Sequence, residues 1–433
     1  MTISFKSRWG TRRVKTLTTK IGSGKTPSGG SESYLSSGVT FLRSQNIHFD
    51  GLRLDDVVYI SDSTHREMRG TRVKPDDVLL NITGASLGRV SRAPEGLGEA
   101  NVNQHVCIIR PNAEASARYL AYTLSSHPVQ EQISELQVGG NREGLNFEQV
   151  GNLTVPAALT EEQHRIADFL DAETAHIDQI LSKRREMADL VTVRTKAVIR
   201  ERLQQGGGSL DAPSRVPWLS GIPDHWDAAP LRYISRIQRG ASPRPIDDPV
   251  YFDDEGTHAW VRIADVTASN KYLTSTTQRL SPLGVSLSVP LRPGELFVSI
   301  AGSVGKPVIT EIPCCIHDGF VAIRNPAVDA EFLYYVLLLG DAFQGLGKLG
   351  TQLNLNSETV GSIKVPIPPE TEQAAIVRQL NADMRAAESL AESLRRQQEL
   401  LAERRQALIT AAVTGQFDVT TASGRNVTDG VTA

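Results

Sequence analysis

The sequence predicts an α+β protein built twice: two α/β-type globular domains, each followed by a long helix, with the two helices paired as an antiparallel coiled coil about a pseudo-twofold axis. Three observations predict it. The chain carries an internal repeat at half-chain scale, each copy opens on short β-rich runs broken by turns, and each closes on a long apolar stripe of near 3.5-residue period. The 433 residues suit two or three domains. An apolar fraction of 40% and a charged fraction of 22% are ordinary for a globular chain.

The repeat holds a constant offset of 210 residues over its second half. Leu145 and Asn146 fall on Leu355 and Asn356, Val150 and Gly151 on Val360 and Gly361, and Val155 and Pro156 on Val365 and Pro366. Glu162, Gln163, Ile166 and Leu170 meet Glu372, Gln373, Ile376 and Leu380. Upstream the match is looser: residues 73–89 resemble 291–306, 106–110 resemble 320–324, 41–43 resemble 260–262, and Trp9 resembles Trp226. The segments between these anchors differ, so one scaffold carries two sets of variable loops.

The first part of each copy alternates β-rich runs, such as Val39–Leu42, Val78–Ile82 and Val106–Ile109, with Gly, Pro, Ser and Asn turns. After Pro156 the texture becomes helical. Thr160 and Gln163 have the spacing of a capping box. Ile166, Leu170, Ile177, Ile180, Met187, Val191 and Val198 then step by threes and fours. The second copy offers Ile376, Leu380, Ala387, Leu390, Leu394, Leu401 and Leu408. Charged residues interrupt the stripes at Glu173, Arg184, Arg194 and Arg404. The textures divide the chain into globular domains at 1–157 and 226–367, helical regions at 158–205 and 368–415, a linker at 206–225 and a tail at 416–433.

Linker length favours antiparallel helices. A helix over residues 161–203 spans about 65 Å, which a linker of some 20 residues could retrace only if fully extended. Charge agrees: Glu161, Glu162, Asp168, Asp171, Glu173 and Asp178 occupy the start of the first helix, and Arg395, Arg396, Arg404 and Arg405 the end of the second. Such a rod would fix the distance between the two domains.

Composition excludes several classes. Cys107, Cys314 and Cys315 are the only cysteines, too few for a disulfide framework, which points to a reducing cytoplasm. No apolar run is long enough for a membrane helix, and the N-terminus lacks the apolar core of a secretory signal. Gly22–Thr26 contains Gly-Lys-Thr, but Thr19 stands where a P-loop needs its first glycine. The adjacent Cys314 and Cys315 lack the second pair of a zinc site and read as strand residues. His105 reads equally well as a packed residue or a base contact. The net charge is −3, yet residues 1–31 carry seven basic side chains and no acidic one, a local surface suited to phosphates.

These residues resemble the specificity subunit of type I restriction–modification systems. The resemblance rests on Gly24-Lys-Thr-Pro-Ser28, Ile82-Thr-Gly-Ala-Ser-Leu-Gly88, Ile222-Pro-Asp-His-Trp226, Phe320-Val-Ala-Ile-Arg324, Leu353-Asn-Leu-Asn356 and Pro368-Pro-Glu-Thr-Glu-Gln373. It covers nearly the whole chain, and the order and duplication of the motifs carry it. It implies a non-catalytic subunit that reads a bipartite site in double-stranded DNA, one half per domain. It also implies two adenine methyltransferase and two restriction subunits as partners, which would hold S-adenosylmethionine, ATP and magnesium; this chain would bind no cofactor or metal. Two alternatives stand beside it: the recognition subunit of a type IIB/IIG-like enzyme, and a coiled-coil scaffold that does not bind DNA.

Base reading needs donors and acceptors on loops. The candidates in the first domain are Lys25, Arg43, Gln45, Asn46, Ser86, Arg89, Asn103, Gln104 and Arg142. Those in the second are Arg239, Arg244, Arg262, Ser303, Lys306, Lys348, Thr351 and Gln352.

Overall fold

The computed structural model describes residues 7–137, 144–204, 214–344, 346 and 355–420. The chain divides into two compact units, residues 1–185 with 395–433, and residues 186–394.

In the first unit, strands β1 (Thr18–Ser23), β2 (Val39–Leu42), β3 (Val58–Ile60), β4 (Arg72–Val73), β5 (Val78–Asn81), β6 (Val90–Arg92), β7 (Ala100–Val102) and β8 (Val106–Pro111) build two four-stranded sheets. One has the order β1-β8-β5-β6 and is antiparallel throughout. The other has the order β3-β2-β7-β4, with β2 and β7 parallel. Strand β8 explains its apolar run by alternation. Cys107 and Ile109 pack with Leu120 and Leu124 of helix α1 (Ala117–Ser125), whereas Val106 and Ile108 pack with Leu42 and Val102 of the other sheet.

Helix α2 (Thr160–Gln204) follows. In this unit its Ile166, Leu170, Ile177 and Leu181 are buried against Leu408, Ile409, Ala412 and Val413, with Tyr119 of α1 in the same cluster. The beginning of one long helix therefore lies beside the end of the other.

The second unit repeats the plan. Its strands are β9 (Arg236–Arg239), β10 (His258–Val261), β11 (Tyr272–Leu273), β12 (Gln278–Leu280), β13 (Val289–Leu291), β14 (Leu296–Ser299), β15 (Pro307–Thr310), β16 (Cys314–Ile316) and β17 (Phe320–Arg324). The sheets run β9-β17-β14-β15-β11 and β12-β10-β16-β13, so β11 is an addition to an otherwise matched topology. Helix α3 (Ala330–Leu338) takes the place of α1. Helix α4 (Glu370–Thr414) buries Ile376, Val377 and Leu380 in one cluster with Ile199 and Leu203 of α2. The pairing is again antiparallel within the unit.

Two expectations need correction. Thr160 is not an N-cap: it lies in the first turn of α2 and donates its hydroxyl to the Glu114 carbonyl. Gln163 does not reach back to cap the helix either. Its amide is buried, donates to the carbonyls of Glu114 and Ala158, and accepts from the Ser116 N–H. Gln373 repeats this on α4, donating to the Pro368 carbonyl and accepting from Asp329 N–H. A buried amide must find partners on both sides, and the loop before α1 or α3 supplies them.

The apolar stripes are also not buried along their length. Met187 and Leu390 are exposed, Ile180, Val191, Val198 and Leu401 are half-buried, and Leu181, Ile199 and Ile409 are buried instead. A helix of 3.6 residues per turn drifts about 20° per heptad from a 3.5-residue stripe. Towards the helix ends, the globular domains select which face is covered.

Candidate nucleic-acid interface

Four loops of the first unit meet at one end of its sheets. They follow β1, β2, β5 and β7. Gly24 N–H reaches the Asn103 carbonyl at 3.1 Å, Asn103 N–H the Leu42 carbonyl at 3.0 Å, and Ile82 N–H the His105 carbonyl at 2.9 Å. Asn81 Nδ2 donates to the Ser44 carbonyl at 2.8 Å. Gly24 is required here: an added Cβ would lie 1.7 Å from the Val102 carbonyl oxygen. Across the joined loops runs a polar chain. Thr26 Oγ1 donates to Gln104 Oε1, Gln104 Nε2 contacts His105 Nε2 at 3.0 Å, and His105 Nδ1 contacts Thr83 Oγ1. With the Gln104 amide donating to Nε2, the imidazole carries its proton on Nδ1 and donates to Thr83.

The second unit welds the matching loops in the same way. Gly240 N–H reaches the Phe320 carbonyl at 2.9 Å, Ala241 N–H the Ile316 carbonyl at 3.1 Å, and Ile300 N–H the Gly319 carbonyl at 2.8 Å. An added Cβ on Gly240 would lie 2.0 Å from the His317 carbonyl oxygen. Ser242 Oγ donates to Asp318 Oδ1 at 3.0 Å, as Thr26 donates to Gln104. His317 Nδ1 accepts from Gly319 N–H at 2.8 Å, as Asn103 Oδ1 accepts from His105 N–H at 3.1 Å. Burial lowers the His317 pKa, in spite of the Asp318 carboxylate beside it, which favours the neutral, accepting ring.

One geometry thus occurs twice with different exposed chemistry. The chain also matches the family described as the type I restriction modification DNA specificity domain, over residues 7–187 and again over 226–393. The chain belongs to this type I specificity family. A protein of Methanocaldococcus jannaschii described as the MjaX type I restriction enzyme specificity subunit is 22% identical over 424 residues, covering 95% of this chain and 94% of its own. The EcoKI specificity subunit of Escherichia coli is 20% identical over 234 residues, 53% of this chain and 47% of its own. In fold, the chain is similar to a solved chain reported with the complex assembly and conformational transition of the type I R-M system. Their TM-score is 0.67 at 19% identity, covering 94% of this chain and 98% of the other.

Within this specificity-family scaffold the candidate side chains separate. Lys25 and Gln104 are exposed on the joined loops, and Arg89 is half-buried there; Lys25 and Arg89 make no side-chain hydrogen bond among the described residues. Arg43 donates to the Asp56 carbonyl and Gln45 to the Asp56 carboxylate, so both sit at the cluster with one partner fixed. Asn46 and Asn103 are buried and satisfy backbone groups: Asn46 accepts from Arg43 N–H and donates to the Arg53 carbonyl. Ser86 accepts from Asn81. These three shape the loops and have little left to offer a base.

In the second unit Arg239, Arg244 and Arg262 are exposed. Arg262 occupies the place of Arg43, and Asp265 accepts from its N–H at 2.8 Å as Asn46 does from Arg43. Ser303 bonds Thr267. Lys306 donates to the carbonyls of Thr267 and Ser269, and burial lowers its pKa, so it braces the loop after β14. Arg142, Lys348, Thr351 and Gln352 lie outside the described residues.

Sequence reading passed over Thr26, Ser242 and Asp318. The signal was present as a duplicated Gly-x-Thr/Ser-Pro, Gly24–Pro27 and Gly240–Pro243. Cys314 and Cys315 lie buried in β16, where burial pushes their thiols up to about 11 and about 12 and keeps them unreactive. No helix among the described residues is long and apolar enough to cross a membrane.

Proposed function

We propose that each loop cluster reads one half of a bipartite site in double-stranded DNA, and that the chain is a non-catalytic subunit serving two adenine methyltransferase and two restriction subunits. S-adenosylmethionine, ATP and magnesium belong to those partners in this reading. The observation that carries it is the pair of welded loop clusters, alike in backbone and unlike in exposed side chains. A single scaffold read twice with different donors and acceptors is what two unlike half-sites require. Exposed Met187, Leu190, Val193 and Leu390 on the helices supply apolar surface of the kind partner helices cover.

The test is a titration of the complex, reconstituted with its methyltransferase, against duplexes carrying the methylated site or a scrambled one. Affinity is expected to fall with salt for both duplexes, and the methylated site to bind about a thousandfold or more tighter. Lys25→Ala and Arg89→Ala should each lower the salt slope by about one. Equal affinity for the two duplexes would overturn sequence reading.

A further inference from the structure

We infer that Arg244, aimed by Asp318, reads a guanine in the half-site served by residues 226–367. This rests on the DNA-reading function proposed above. The loop after β9 and the loop between β16 and β17 touch through backbone at Gly240, so neither can move without the other. Asp318 sits at their junction and organises three side chains. Its carbonyl accepts from Arg239 Nε at 2.9 Å, Oδ1 accepts from Ser242 at 3.0 Å, and Oδ2 accepts from Arg244 Nη2 at 3.3 Å. Asp318 keeps its charge: burial would raise its pKa, but the Ser242 hydroxyl and the Arg244 guanidinium help hold it below the ordinary value.

Arg244 remains 69% exposed, so most of its five donors face solvent while Nη2 is tethered to the Asp318 carboxylate. A planar guanidinium held at one nitrogen matches the paired O6 and N7 acceptors of guanine in the major groove. A phosphate accepts from the same donors. The Asp318 carboxylate beside Arg244 favours the base, because its negative charge repels a phosphate and leaves a neutral base edge unopposed. The first domain has Ser28 and Gln104 at the matched positions, so its half-site is read by other chemistry.

The experiment uses the full chain in complex with its methyltransferase and maps bound and methylated sequences from a randomised duplex pool. Arg244→Ala should lose about tenfold to a hundredfold discrimination at one base pair of one half-site. The other half-site should be unchanged. Asp318→Asn, which keeps shape but removes charge, should lose about fivefold at the same base pair. A uniform loss of affinity for all sequences with a shallower salt slope would show a phosphate contact and overturn the inference. So would unchanged discrimination in Arg244→Ala. Asp318→Asn with full discrimination would overturn the aiming role. If the unaltered complex shows no sequence preference, the DNA-reading function itself fails, which is a separate result.

Discussion

Asp77 is fully buried, and its carboxylate accepts two hydrogen bonds of 2.7 Å from Arg110 Nε and Nη2. The second domain repeats the pair as Glu295 and Arg324, at 2.9 Å. Each pair ties the start of a central strand to the end of its neighbour, β5 to β8 and β14 to β17. Removing one partner leaves the other desolvated without compensation. Because Arg110 keeps 23% of its side chain exposed, the cost sits at the low end of the buried-pair range. Asp77→Ala should destabilise the first unit by about 3 kcal/mol, measured as a lowered midpoint in urea. Gly240→Ala acts differently, by pushing apart two backbones that have no room to yield. A cost of about 1–3 kcal/mol is expected, read as a fall in thermal midpoint.

At the level of elements, each globular domain meets its helix through a polar junction of opposite sense. In the first unit Arg118 of α1 bonds Asp168 and Asp171 of α2, and Tyr122 donates to Asp171 at 2.7 Å. In the second unit Glu331 of α3 takes the place of Arg118, Tyr335 that of Tyr122 and Asn381 of α4 that of Asp171. Lys271 enters between them and bonds Glu331 and Asn381. Lys271 is also ringed by Tyr272, Tyr334 and Tyr335, its ammonium 4.6–5.5 Å from their centroids. Truncating Lys271 or Glu331 alone to Ala should cost about 2–3 kcal/mol. The double change should cost less than the sum, with a coupling of about 1–2 kcal/mol in a double-mutant cycle. Additive losses would show that the pair does not interact. Burial would raise the Glu331 pKa, but hydrogen bonds from Lys271, Asn381 and Tyr272 outweigh it and leave the group depressed. Its stabilisation is therefore present above the ordinary carboxylate pKa and lost as pH falls through the lowered one.

For the whole chain, the reversed junctions set a rule for exchanging domains. Putting residues 226–367 in place of 1–157 would bring Glu331 and Lys271 against Asp168 and Asp171, so that one cation would serve three carboxylates where Arg118 serves two. Such a chimera should be less stable than the natural chain, and Asp168→Asn with Asp171→Asn should restore part of the loss. Assembled with its methyltransferase, the repaired chimera should direct methylation to sites in which one half-site occurs twice. Sequencing of methylated DNA checks this. A chimera that still recognises two unlike halves would show that specificity does not reside in the exchanged residues.

Much of the fold was legible in the linear chain. The β-rich runs and the two long helices are local patterns that hydrophobic period signals, and the half-chain repeat shows in the residues themselves. The framework positions could be named from sequence for that reason. Which helix face is buried was not legible, because at Ile199 and Ile409 the partner is a domain distant in sequence, and the stripe alone does not record it. The candidate site was legible only in outline. Lys25, Gln104 and Arg244 lie on the joined loops and Arg239 at the end of β9 beside them, but Asn46, Asn103 and Lys306 turned out to brace them. The difference lies in contacts across long separations: Thr26 with Gln104 over 78 residues, and Arg244 with Asp318 over 74. By itself the sequence determined a duplicated scaffold with polar variable loops. Only the tertiary structure decided which polar atoms those loops spend on one another and which they leave facing solvent, because a hydrogen bond is satisfied by whatever the fold brings within about 3 Å.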